Sequence, residues 1–309
     1  MPRSESGRIG VLVMAYGTPR HPDEIEAYYT DIRRGNPPSP EQLADLTDRY
    51  EAIGGTSPLA QRTEDQRIAV EVALDELAPG RYHVVTGLKH ADPKIEEAVD
   101  ELADGGCTKI VGLVLAPHFS SMSVGQYLRR ASAAAERHGI DVVGIESWAT
   151  EAPYVEFLVE QVTSALAVLP AATVVLFTAH SLPRRVVDEG DPYPSELGST
   201  AQAVADGARL ASPEIWMTAW QSAGRTPEPW LGPDVLEVID DLAGAGTAEG
   251  VLVCACGFVS DHLEVLYDLD IEARRWAEQR GLSFARTECV NDHPAVMTAL
   301  AMRIHAAAG

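Results

Sequence analysis

The sequence is short of cysteine, of positive charge and of long apolar runs, and each shortage excludes a class of protein. Its 309 residues hold four cysteines, Cys107, Cys254, Cys256 and Cys289. None are spaced as C-x-x-C, and the one close pair falls inside a strand-like run. The loop spacings of a zinc or iron–sulfur site are therefore missing. The cysteines read as buried, inert thiols, and disulfides are not expected in a cytoplasmic chain. Lys and Arg number 24 against 46 Asp and Glu, for a formal net charge of −22. That argues against nucleic acid and anionic membrane surfaces as partners, since both demand clustered basic groups. No apolar run approaches the roughly 18 residues of a membrane span. The opening MPRSESGRIG is polar and leads straight into the apolar run 9–15, without the layout of a secretory signal. No G-x-G-x-x-G stands at a strand–helix junction and there is no P-loop, so nucleotide binding has no positive support. A soluble, cytoplasmic protein is expected.

What is present is a regular alternation. Short β-rich runs at 9–15, 82–87, 109–115, 141–145, 173–178, 215–220, 250–256 and 283–286 are separated by longer helical patterns. Examples of the latter are 63–77, 94–102, 124–137, 152–166 and 233–242. Strand, helix, strand in this order implies parallel sheets covered by helices on both faces. Runs such as IVGLVLA and TVVLFTA are continuously apolar, as strands buried on both sides should be. Eight strands are too many for one small domain. The expected fold is α/β, with two doubly wound Rossmann-like halves at 1–150 and 151–309. The ligand cleft is expected between them, at the carboxyl ends of the strands.

Two features suggest where chemistry sits. In GFVSDHLEVLYDLDIE, residues 257–272, a helix opening at Val259 would place Glu264, Asp268 and Glu272 on one stripe. Val259, Leu263 and Leu266 would then lie on the opposite, core-facing side. Carboxylates in a ladder with His262 nearby suit hard cations and proton handling, although a solvated acidic face would look the same. The second feature is a row of polar or aromatic residues at strand ends: Tyr16, His90, His118, His180 and Trp220. Each alone is an ordinary loop start, but together they describe a crevice walled by phenol, imidazole and indole. Arg33 and Arg34 in DIRRGNPPSP are either surface charges or a carboxylate clamp. GGTSPLAQRT, residues 54–63, is typical of a loop bordering a ligand, and the segment 220–234 is either a lid or a packing loop.

Many of these segments stand together in one known family. MAYGTP (14–19), IRRG (32–35), DRYEAIGGTSPLAQ (48–61), GLKH (87–90) and APHFSSMSVGQY (116–127) are followed by TAHSLP (178–183), DPYP (191–194), WQSAGRTPEPWLGPDV (220–235) and GFVSDHLEVLYDLD (257–270). In content and order the chain resembles the ferrochelatases, specifically the coproporphyrin type of monoderm bacteria, over almost its whole length. The resemblance implies insertion of Fe²⁺ into coproporphyrin III in haem biosynthesis. His180 matches the histidine and Glu264 the glutamate that bind the incoming ion and accept pyrrole protons. Tyr16 matches the tyrosine that ligates product iron from the other side of the ring. Arg33, Arg49, Tyr50, Ser57 and Tyr127 match positions that hold the porphyrin and its propionates. Asp268 and Glu272 match outer carboxylates that relay metal or hold a second hydrated cation such as Mg²⁺. Some relatives carry a [2Fe–2S] cluster, with one cysteine just after APHFSS and others in a C-terminal extension. Here Ser120 and Ser121 stand in the first region and the sequence ends at Gly309, so no cluster and no permanent cofactor is expected.

Elementary chemistry is consistent with those roles. A neutral imidazole is both a good base near neutral pH and a good Fe²⁺ ligand. A negative path draws in a dication, and a saddled ring needs strain drawn from binding elsewhere. Other readings are a protoporphyrin IX ferrochelatase, a cobalt chelatase of another tetrapyrrole, and a non-catalytic haem-binding protein. The last has less to recommend it, because a binder needs one axial ligand and both His180 and Glu264 are retained. A monomer is expected.

Overall fold

All eight apolar runs are strands, and every pairing between them is parallel. The computed structural model describes residues 7–210, 212, 214–224 and 226–309. Residues 1–6 of the polar opening, and Arg225 in the 220–234 segment, lie outside the described residues. The strands are β1 (Arg8–Ala15), β2 (Tyr82–Leu88), β3 (Cys107–Val114), β4 (Asp141–Ile145), β5 (Thr173–His180), β6 (Trp216–Gln221), β7 (Gly250–Cys254) and β8 (Ser283–Arg286). One sheet runs in the order β2-β1-β3-β4 and the other β6-β5-β7-β8, so the two share one topology. β1 is buried from Ile9 onward, and β5 is buried along its length except at His180. A strand covered on both faces has no solvent side to alternate with, which is why these runs read as continuously apolar. Each sheet has a switch point, between β1 and β3 in one and between β5 and β7 in the other. Ligands of doubly wound sheets gather at the carboxyl ends of strands there.

The predicted helices are observed as Leu59–Leu77, Ile95–Asp104, Val124–Glu136, Ala152–Leu166 and Val235–Ala245. No helix among the described residues is long and apolar enough to cross a membrane. By contact the chain forms two units. One comprises Met1–Ala116, Met122–Ser147 and Asn291–Gly309, and the other Pro117–Ser121 and Trp148–Val290. The expected contiguous halves, 1–150 and 151–309, are corrected accordingly, because the helix Pro294–Ala308 belongs to the first unit. It packs along Leu59–Leu77 and buries Val296, Met297, Leu300 and Ile304. Lys109 of β3 donates to the carbonyls of Ala307 and Ala308, each at 3.0 Å, which satisfies the helix end with a cation. Gln66 donates to the carbonyl of Asn291 at 2.8 Å. Local periodicity marks an apolar helix but does not say which sheet it covers.

The segment 257–272 departs furthest from expectation. No helix opens at Val259. The chain turns after β7, forms a short helix at Leu263–Leu266, widens into a π-helix at Asp268–Ala273, and returns to α-helix at Arg274–Gln279. The core stripe is Val265, Leu269, Ala273 and Ala277. Glu264, Asp268 and Glu272 each precede a core residue by one position, so the carboxylates flank the core stripe instead of opposing it. Asp268 is consequently buried at 8% exposure, Glu264 is half-buried, and Glu272 is exposed.

Candidate active site

In the second unit, His180 is the last residue of β5, at the switch point. A carbonyl can only accept, so the 2.5 Å contact from His180 Nδ1 to the Ser181 carbonyl places a proton on Nδ1. The other nitrogen, Nε2, then stands 3.6 Å from Oε1 of Glu264, with both side chains about one-third exposed (35% and 34%). His262 repeats the device. Its Nδ1 donates to the Ser260 carbonyl at 2.9 Å, and its Nε2 lies 3.6 Å from Oε2 of the same carboxylate. Glu264 is thus set between two imidazoles of the same tautomer, one on each oxygen.

The charges of this trio are coupled. Burial works against the imidazolium of His180, but the charge of Glu264 3.6 Å away and the Ser181 carbonyl outweigh that and raise its pKa above the ordinary value. Burial likewise favours a protonated Glu264, yet His180 and His262 hold its carboxyl far below the usual carboxylate range.

The neighbouring backbone fixes these positions. Gly257 passes directly over β5: a Cβ there would lie 2.6 Å from Cα and 2.4 Å from Cβ of Ala179. Only glycine permits that approach beside His180. Gln221, the end of β6, accepts from the Thr178 hydroxyl at 2.9 Å and donates from Nε2 to the Glu264 carbonyl at 3.2 Å. The next residue, Ser222, has φ 58° and donates from its hydroxyl to Asp268 Oδ2 at 2.5 Å. Two consecutive residues therefore hold two rungs of the ladder. The segment 220–234 packs back on the chain after His180, with Arg184 N–H donating to the Pro229 carbonyl and Leu231 N–H to the Leu182 carbonyl, each at 2.9 Å. It brings the Trp230 ring to 6.5 Å from that of His180.

The first unit carries a different cluster at the equivalent end of β1. Tyr16 is 41% exposed, and its ring is 4.6 Å from that of His90, whose Nδ1 is 2.7 Å from Asp31. Lys89 Nζ lies 5.7 Å from the centre of the Tyr16 ring and 5.2 Å from that of buried Tyr127. Burial, aided by Arg130 and Arg34, lowers the Lys89 pKa to about 8. The Tyr50 hydroxyl is 3.2 Å from that of Thr18, which ties it to the same turn.

Of the residues singled out in the sequence, His180, Glu264 and Asp268 are held together, and Glu272 is one turn farther along the ladder's helix. Tyr16 and Tyr127 meet through Lys89, and Tyr50 joins that turn through Thr18. Arg33 folds back on its own segment, donating from Nε to the Asn36 carbonyl at 3.1 Å and lying over the Tyr29 ring. Arg49 is half-buried on the helix Pro40–Ala52. Ser57 is buried, and its hydroxyl accepts from Leu59 N–H at the start of the next helix. Two strand-end candidates are interior. His118 is buried against Thr200 at 2.9 Å, with burial lowering its pKa to about 3. Trp220 lies inside β6 and packs on Tyr193. Gln221, Ser222, Lys89 and Trp230 were passed over in the sequence, although each stands inside a motif already marked.

Two parallel doubly wound sheets of one topology, with an imidazole–carboxylate group at the switch point of one, define a chelatase-like α/β protein. Solved structures of that shape include SirB from Bacillus subtilis with Fe³⁺, at TM-score 0.57 and 13% identity, covering 98% of this chain and 96% of that one. Another is DR2241 from Deinococcus radiodurans, described as a multi-domain protein with structural similarity to chelatases, at TM-score 0.54 and 11% identity over 95% of this chain and 54% of that one. These likenesses concern the fold alone. In sequence, the profile of the family Ferrochelatase matches residues 8–308. The chain is 46% identical over 298 residues to the coproporphyrin III ferrochelatase of Halalkalibacterium halodurans, covering 95% of each. It is 44% identical over 300 residues to that of Bacillus subtilis, covering 95% of this chain and 96% of the relative. The chain belongs to the ferrochelatase family.

Proposed function

We propose that this enzyme inserts Fe²⁺ into coproporphyrin III to form coprohaem, with His180 and Glu264 as metal ligands and proton acceptors. The observation that carries the reading is the placement of Glu264 between two imidazoles whose Nδ1 atoms are both tied to backbone carbonyls. Both Nε2 atoms are thereby turned toward the carboxylate, and each is a lone pair whenever its imidazole is neutral. The substrate is supported by relatives named for coproporphyrin III at 43–46% identity across nearly their whole length. In a protein with so few cations, Arg33, Arg34, Arg49, Lys89 and Arg130 all lie in the unit of Tyr16, which suits a ligand bearing several carboxylates.

The chemistry needs two pyrrole protons removed and the waters stripped from one dication. Neutral His180 offers Nε2 to the ion or to a proton. Glu264, kept ionised at neutral pH, adds a negative oxygen at the same place and passes protons on to His262. Each turnover thus releases two protons for one Fe²⁺, and the ring leaves without net change of charge at its centre. Asp268 and Glu272 extend the negative path outward and hold a hydrated dication such as Mg²⁺. Tyr16, Arg33, Arg49, Tyr50, Ser57 and Tyr127 are assigned to the macrocycle, with Tyr16 as ligand of product iron. We assign no resident iron–sulfur cluster, because the four cysteines lack the spacing of cluster ligands. The protein is assigned to the cytoplasm as a monomer.

The deciding experiment is an anaerobic Fe²⁺ insertion assay comparing coproporphyrin III with protoporphyrin IX, with Co²⁺ as alternative metal. Higher kcat/KM for coproporphyrin III supports the reading. Preference for protoporphyrin IX or Co²⁺ moves the assignment within the chelatases, and tight haem binding without insertion replaces it with a haem-binding role.

A further inference from the structure

The helix that carries Glu264 is only four residues long before it widens, too short to hold its flanks by its own hydrogen bonds. Both flanks of that helix are instead fastened by one side chain on another strand. Arg286, the last residue of β8, sets Nε and Nη2 on the two oxygens of Asp270 at 2.8 and 2.9 Å. Nη2 also reaches Asp261 Oδ1 at 3.1 Å, and Nη1 donates to the Thr287 carbonyl at 3.0 Å. The guanidinium is 13% exposed, and Asp261 and Asp270 are 19% and 30% exposed, so the group is drawn in from water and fully engaged. Asp261 immediately precedes His262. Asp270 lies in the π-helix, two residues after Asp268. One planar fork therefore fixes the distance between the turn that presents His262 and the turn that presents Asp268, with Glu264 between them.

We infer that Arg286 is a positioning residue for metal delivery, setting the spacing of His262, Glu264 and Asp268 along which the dication approaches. This rests on the function proposed above. The fold itself has a separate tie at this place: Arg274 donates from Nε to the Asp270 carbonyl at 3.3 Å and from Nη1 to the Phe284 carbonyl at 3.2 Å. The backbone of the π-helix thus stays fastened to β8 when Arg286 is lost, while the side-chain geometry at Asp261 and Asp270 is released. Lysine cannot replace the fork, because a single ammonium cannot meet Asp270 in two places and Asp261 as well.

The test separates metal from porphyrin. Arg286→Met, Arg286→Lys and Asp270→Asn are assayed anaerobically, varying Fe²⁺ at saturating coproporphyrin III and the reverse. Porphyrin Kd is measured independently by fluorescence quenching. Groups that orient metal ligands typically change metal affinity by about 10- to 100-fold. The expected result for Arg286→Met is a KM for Fe²⁺ raised about tenfold or more, with porphyrin Kd within about twofold of wild type, and partial recovery in Arg286→Lys. Equal losses for both substrates, or no change in KM for Fe²⁺, would overturn the assignment. If Arg286→Met does not fold, Asp270→Asn decides alone, since the amide keeps the shape and loses only the charged pairing. If wild-type protein inserts no iron into any porphyrin, the proposed function fails. The clamp is then judged by anaerobic titration of Fe²⁺ into wild type and Arg286→Met, with equal affinities counting against it.

Discussion

Nε2 of His180 and Oε1 of Glu264 stand 3.6 Å apart, too far for a strong hydrogen bond and close to the separation of two ligands on one ion. Nitrogen and oxygen ligands each about 2.1 Å from a metal fall near this spacing at wide bond angles. That spacing suits the role proposed for the pair as two ligands of one cation.

Replacing His180 by alanine should abolish turnover while porphyrin still binds, because base and ligand are lost in one step. Glu264→Gln should behave similarly, with some residual activity from the two imidazoles that remain. Single-turnover insertion and porphyrin titration on each variant check this. A His180→Ala enzyme keeping more than about a tenth of wild-type kcat, under about 1.4 kcal/mol of barrier, would remove His180 from the reaction.

The pH profile carries a sign. Against burial, the charge of Glu264 raises the His180 pKa above the ordinary imidazole value of about 6.5. Below that pH it is an imidazolium, unable to bind metal or accept a proton. Activity should fall as pH drops through a midpoint above about 6.5. In Glu264→Gln the largest charge opposing burial is gone, and only the Ser181 carbonyl and Asp268 still favour the imidazolium, so the midpoint of the residual activity should shift downward. Stability runs the other way: the raised His180 pKa contributes fully below about pH 6.5 and is lost as pH rises through the folded pKa, while the depressed Glu264 pKa contributes fully above about pH 4.5 and is lost as pH falls. Anaerobic kcat/KM across this range measures the shift, and an unmoved midpoint in Glu264→Gln would detach the two residues.

Tyr16→Phe should still insert iron, since His180, Glu264 and His262 are untouched. A phenolate is a hard ligand suited to ferric iron, so its loss should alter the absorption spectrum of bound ferric product and speed its release. Identical spectra from the two proteins would place the axial ligand elsewhere.

Gly257→Ala should be the most damaging single methyl in this unit. Its Cβ meets the backbone of β5 at Ala179, which cannot move aside without shifting His180. Overpacking of this kind costs about 1–3 kcal/mol. Thermal unfolding and insertion activity should fall together, and a variant with wild-type Tm and activity would mean that β7 and β5 have slack.

Much of this was readable beforehand because burial on two faces leaves continuous apolar runs, and all eight strands sit where those runs lie. His180 was legible for the same reason: it ends the run TVVLFTA at a switch point. The ladder of Glu264, Asp268 and Glu272 was legible as a spacing, but not as a position, because the π-helix and the late start at Leu263 set it beside the core instead of across from it. His118 and Trp220 looked like crevice residues, since a strand end does not reveal whether a later segment will cover it. Arg286 was invisible. Its partners lie 16 and 25 residues away, and no periodicity links a strand end to a turn that has yet to be built.

The helix Pro294–Ala308 has a further implication for how the molecule comes into being. On the ribosome, β1 to β4 emerge first, but the cover for Leu59–Leu77 is made last, after the whole second unit. Until then the helix Leu59–Leu77 lacks part of the packing it has in the finished protein. The first unit therefore cannot mature on its own during synthesis, and domain-by-domain folding from the N-terminus is denied to it. Nascent chains arrested before residue 291 should expose an apolar stripe that chaperones recognise, and completion of the last helix should release them.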